Sequence, residues 1–328
     1  MTYEGRALYN LLQMNLKQNP DLEVEPWQVE IYRDLPEEEL FSRLESHQIF
    51  LDKDNFLLYV DACESPEDLA DCLYLEEDYA KHEQVYLCVF ELWRRLATHK
   101  QSLSIFVDQL DHLIEEYEEG KLENDEELQT SLESFQIILD DNVDEGGDPR
   151  DGYYFFSSYS CHDLEVFIYE YVSHQIDIEN DLYASELLEG FFPYVDNKRW
   201  FELLRIRLVS AADVAGGNVM VQRLLESLKE EPELYLLFET LHFLIYVGEN
   251  DQFIATFNRA LEQLETEEDL RELLMLTAEY LESINKEKEV EVINDLIDQQ
   301  KDKNLQDPLN PEDYALQILK DIMNFSSV

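Results

Sequence analysis

Apolar residues recur along this chain at alternating intervals of three and four. Tyr79, His82, Tyr86, Val89, Trp93 and Leu96 form one series. Leu103, Phe106, Leu110, Leu113 and Tyr117 form a second, and Leu128, Leu132, Phe135 and Leu139 a third. Each series occupies one stripe of an α-helix, the stripe that turns toward a core. Residues 85–92 are apolar on most sides, which predicts a helix covered by several neighbours.

Helix starts are marked by Ser65-Pro66-Glu67-Asp68, where an N-cap, a first-turn proline and two carboxylates follow one another. Pro36-Glu37-Glu38 repeats the proline-then-acid pattern, and Thr266 with Asp269 resembles a capping box. Gly120, Gly190, Gly216-Gly217 and Gly248 read as helix ends. These signals predict about 17 helices with short connections, including one over 26–33. The run 153–158 could form a short strand, but no sheet is available for it to join. The expected fold is all-α: antiparallel helix pairs stacked as an irregular α-solenoid. The polar, Gly/Pro-bearing stretch 141–152 is expected as a linker between an N-terminal helical subdomain, 1–140, and a C-terminal helical-repeat subdomain, 153–328.

Weak self-similarity supports the repeat reading. Phe257-x-x-Ala260-Leu261 returns 36 residues later as Ile293-x-x-Leu296-Ile297. With Gly248 at the expected turn, 234–265 resembles a tetratricopeptide-type helical repeat. It departs from that family at Leu241, Phe253 and Glu265, where Gly, Ala and Pro are usual. The resemblance implies stacked helix pairs whose groove holds a peptide or a partner helix, and it carries over no binding residue.

Composition narrows the class. Nine Gly and nine Pro in 328 residues disfavour turn-rich β folds and glycine-rich nucleotide folds. The formal charge of −51, from 24 basic and 75 acidic residues, argues against a nucleic-acid or anionic-membrane partner. It points instead to a basic or amphipathic protein segment. No basic region precedes an apolar run in residues 1–25, and no run reaches membrane-spanning length. Cys63, Cys72, Cys88 and Cys161 match neither a zinc motif nor a disulfide framework. A reduced, cytoplasmic protein is expected, with signal-less secretion left open.

Nucleotide-binding, zincin and hydrolase motifs are absent from the sequence, the seven histidines are scattered, and no cofactor is expected. Cys161 and His162 are adjacent, which does not require their side chains to meet. Asp140, Asn142 and Asp144 fall at positions 1, 3 and 5 of an EF-hand-like loop, with Asp151 at position 12. Glu145 takes the place of the required glycine, so a plain acidic linker is the competing reading. The segment 153–171 holds eight aromatics; Tyr153, Tyr154, Phe155 and Phe156 are candidates for a contact patch or for core. Charge is uneven: 108–151 carries 17 acids and two bases, whereas 198–227 carries five bases and three acids. Arg205 and Arg207 in that second stretch suit either local ion pairing or a partner site. The sum is a non-catalytic adaptor, scaffold or chaperone-like protein that binds a basic or amphipathic partner. The alternatives are a carboxylate-dependent enzyme with a helical cavity and a protein that mimics a nucleic-acid surface.

Overall fold

The computed structural model describes residues 3–325, apart from 76 and 302. Among these residues the chain is all-helical, with seventeen α-helices and no strand. In chain order the first eight are α1 (Arg6–Gln18), α2 (Glu37–Ser46), α3 (Lys53–Ala62), α4 (Pro66–Leu73), α5 (Tyr79–Leu96), α6 (Leu103–Glu118), α7 (Glu126–Asp144) and α8 (Pro149–Ser158). They are followed by α9 (Leu164–Asp177), α10 (Asp181–Phe191), α11 (Lys198–Ala212), α12 (Val214–Glu230), α13 (Leu234–Val247) and α14 (Asn250–Gln263). The last three are α15 (Glu267–Ser283), α16 (Glu287–Gln300) and α17 (Tyr314–Phe325). None is long and apolar enough to cross a membrane.

Local chemistry sets many of these ends. Ser65 Oγ accepts from the Asp68 N–H at the start of α4. Thr266 and Asp269 close a reciprocal capping box at the start of α15, with bonds of 3.2 and 2.8 Å. The expected helix over 26–33 is instead two short 3₁₀ turns, Pro26–Gln28 and Tyr32–Asp34. The run 153–158 is helical, not extended. Gly216 and Gly217 begin α12 rather than end α11. A Cβ at Gly217 would sit 1.9 Å from Ser210 Oγ, so only glycine permits that close turn between the two helices.

The expected linker and boundary also differ. Residues 141–144 complete α7, and Pro149 opens α8 behind an Asp148 cap, so the break shrinks to a turn over 145–148. Leu139 and Tyr153 lie buried on its two sides and hold both helices in one core. The chain divides after Ile168, inside α9, into two compact units.

Unit one comprises residues 1–168 with 193–196. Its core centres on α5, whose residues Val85 to Trp93 are all buried, as the sequence pattern predicts. The one carboxylate in that run, Glu91, accepts from Arg94 and Arg95. Arg95 also donates to the carbonyls of Tyr32, Arg33 and Leu35, fixing the 3₁₀ segment to α5. Unit two comprises 169–192 and 197–328. Here α11–α12, α13–α14 and α15–α16 form consecutive helix pairs, with α13 between α11 and α15 in a first layer. The second helices pack behind, and Phe253 of α14 stacks on Tyr280 of α15 with ring centroids 3.7 Å apart. That order of pairs is a helical solenoid.

Candidate functional site

In unit two the first helices of successive pairs present one exposed face. α13 is almost wholly apolar, yet its outward positions Tyr235, Glu239, His242 and Tyr246 follow each other at intervals of 4, 3 and 4. Tyr235 is 63 % exposed and Tyr246 66 %. The neighbouring stripe on α15 is Glu268, Glu272, Met275, Glu279 and Glu282, with Met275 48 % exposed. The Tyr246 hydroxyl donates to Glu279, which joins the two stripes. That hydrogen bond, more than the slight burial beside it, raises the Tyr246 phenol above its ordinary pKa, so it stays protonated as a donor. The His242 ring stands edge-on to Tyr246 at 5.8 Å. The result is an aromatic and methionine strip bordered by carboxylates, with Arg271 at its edge. The signal in the sequence is Glu239 and His242, polar positions three apart in an otherwise apolar helix whose remaining polar residue, Thr240, is buried.

The residues singled out from sequence fall elsewhere. Tyr153 and Phe156 turn inward on α8 and are buried, stacked on Phe135 at 5.9 and 3.8 Å. The i, i+3 spacing of a helix places both on one face, and that face is core, so neither is a contact residue. Tyr154 and Phe155 do lie on the outer face of α8, and Phe155 is 59 % exposed. The Tyr154 hydroxyl is held by Asp196. Arg205 is clamped by Glu189 and Glu202 and lies over the Phe192 ring at 4.2 Å. Arg207 donates to Ser173 at 2.6 Å and Asp177 at 2.5 Å. Both arginines therefore tie helices together within unit two.

The calcium arrangement is not formed. Asp140, Asn142 and Asp144 are helical residues of α7, and Asp151 lies in the first turn of α8. A helix turns about 100° per residue, so Asn142 points away from Asp140 and Asp144 instead of sharing an ion with them. Asp140 accepts from the Tyr194 hydroxyl.

Sequence reading gave no sign of a second feature, a cavity of about 510 Å³ within unit one. α1, α6, the 3₁₀ segment and the 160–162 turn line it. Two carboxylates of α6 face inward here. Asp108 accepts from Arg33 at 2.7 Å and Asn10 at 2.9 Å, with Arg6 at 3.9 Å. Asp111, one helical turn on, accepts from Ser160 Oγ at 2.6 Å and the Cys161 N–H at 2.8 Å. Burial pushes the Asp111 carboxyl up to about 7, against the pull of those two donors. The Cys161 thiol is raised well above its ordinary value by burial and by Asp111 beside it. Burial lowers the His162 imidazole below its ordinary value.

No protein-family model, curated protein or solved structure matches this chain.

Proposed function

We propose that this is a non-catalytic scaffold or chaperone-like protein that binds a basic or amphipathic protein segment across the exposed face of α13 and α15. The observation that carries this reading is the strip itself. Three large exposed side chains, Tyr235, Tyr246 and Met275, lie among five carboxylates on adjacent helices of one stack. Aromatic and methionine anchors supply contact area, and surrounding acids select a cationic partner and speed its approach. A helix-pair stack of the kind that 234–265 resembles presents such a face to a peptide or helix. Four free thiols suit a reducing, cytoplasmic setting.

The test starts with proteins captured from cell extract at low salt and identified by mass spectrometry. Binding of each purified partner is then measured against Tyr235→Ala/Tyr246→Ala and Glu239→Gln/Glu272→Gln. The tyrosine pair is expected to shorten the complex lifetime. The glutamate pair is expected to slow association and flatten its dependence on salt. Partners that bind both variants like the parent would refute this face as the site.

A further inference from the structure

We infer that Asp111, Cys161 and His162 form a binding site for one divalent transition-metal ion of the zinc class, in unit one and independent of the docking face. Their ligand atoms, one carboxylate oxygen, one sulfur and one imidazole nitrogen, all lie within 4.8 Å of one another. Ligands on a zinc ion are about 2.0–2.3 Å from it, so small rotations of these side chains bring all three into contact with an ion at their centre. Asp111 and Cys161 are buried, and only 8 % of the His162 side chain is exposed. Such a set differs from the solvated acid clusters elsewhere on this chain.

The turn that carries two of the donors is rigidly set. Ser160 is fully buried, and its hydroxyl donates to Asp111 while accepting from the His162 N–H at 3.1 Å. The Cys161 N–H holds the other carboxylate oxygen. Ser160 thus orients the oxygen ligand, as outer partners do in metal sites, and fixes the backbone of the residue that carries the imidazole. The Cys161 thiol also hydrogen-bonds Asp111, and a metal would replace that proton between sulfur and carboxylate.

Chemistry selects the ion. A sulfur and an imidazole nitrogen with a single carboxylate suit zinc-class ions, whereas calcium and magnesium take oxygen-rich shells. Besides Asp111 itself, six carboxylates and four basic side chains line the cavity beside the three donors, a balance that favours a cation over an anion. All three residues line the cavity, and three protein ligands would leave a fourth position for water or a small ligand. On binding, a sulfur–metal bond forms and the thiol proton passes to solvent. The competing arrangement is a thiol that merely hydrogen-bonds Asp111.

Cobalt(II) added to the chelator-treated full chain distinguishes the two. We expect one equivalent to produce the near-ultraviolet sulfur-to-cobalt charge-transfer band, and zinc to abolish it. Cys161→Ser should lose the band, and Cys72→Ser should keep it. Ser160→Ala should weaken binding about 10–100-fold, the usual effect of removing an outer partner. Far-UV circular dichroism checks that each variant is folded. Should Cys161→Ser fail to fold, His162→Ala carries the test and should bind cobalt at least 10-fold more weakly. No charge-transfer band in the parent, a band that survives Cys161→Ser, or unchanged affinity in His162→Ala would overturn the site.

Discussion

Replacing Trp93 by alanine should cost about 3–5 kcal/mol, the range for deleting a large buried aromatic. Trp93 is 1 % exposed on α5, and α2, α3 and α4 all pack against that helix. The indole also has a polar task. Its N–H donates to the Lys100 carbonyl at 2.8 Å, while the Lys100 ammonium donates to the Val60 carbonyl at 3.1 Å. The turn after α5 is thereby fixed both to its own helix and to the end of α3. Trp93→Phe separates the contributions. It keeps most of the ring volume and loses the hydrogen bond, so about 1–2 kcal/mol is expected from the unmade bond and a small void. Urea unfolding followed by far-UV circular dichroism gives both values. An alanine variant that loses less than 1 kcal/mol, or a phenylalanine variant as damaging as alanine, would refute this account of the α5 core.

Arg95→Met should cost about 2–3 kcal/mol, since a charged donor to three carbonyls is removed. Hydrogen exchange should quicken over 26–35 first, and unchanged exchange there would count against the clamp. Limited proteolysis should cut first within 145–148, where four exposed residues include Gly146 at φ 99°, with α7 and α8 resisting on either side. Early cleavage inside either helix would contradict the structure of that turn. Arg43 makes bonds of 2.6 and 2.9 Å to Glu30, which hold the Glu30 carboxyl below its ordinary value. The pair's stability is therefore complete above the ordinary glutamate range and is lost as pH falls through the lower folded value. Because the pair is partly exposed, the effect should be about 1 kcal/mol or less. Arg43→Met should make the acid limb of the stability curve shallower, and an identical limb in both proteins would remove the pair from it.

Local signals carried the fold a long way. Ser65 and Thr266 cap helices by contacts three residues long, so their sequence neighbours already specify them. The total of seventeen helices agrees with expectation through two opposite errors. The 26–33 segment closes only 3₁₀ turns, and the stretch that forms α8 looks in sequence like the end of a linker plus a strand-like run. α8 hides because Gly152 and four consecutive aromatics speak against a helix locally, although Asp148-Pro149 is itself a helix-start signal. Burial of Tyr153 and Phe156 on Phe135 overrides them. The metal-ligand cluster was hidden for a different reason. Cys161 and His162 stand side by side, but their third member lies far earlier, on α6. Asp108 and Asp111 belong to the series Ser104, Val107, Asp108, Asp111 and Ile114, which has helical spacing and is wholly buried. A reading that counts every carboxylate as solvent-facing passes over that stripe.

The same burial changes what the charge means. Many of the chain's few bases are committed inside the fold: Arg6 and Arg33 to Asp108, Arg94 and Arg95 to Glu91, and Arg205 and Arg207 to neighbouring helices of unit two. They brace the fold, so the surplus that reaches solvent is more one-sided than a uniform mixture of the same residues. At physiological salt its reach is about 8 Å, which steers an approaching cation but does not hold it. Large apolar side chains are exposed elsewhere on this chain too, such as Phe50 and Leu182, and singly they need no partner. The α13–α15 face instead places two tyrosines and a methionine between its carboxylates. Tyr235, Tyr246 and Met275 there are side chains that would gain from being covered together, and on the proposed reading this face, rather than the charge as a whole, is where a partner would be held.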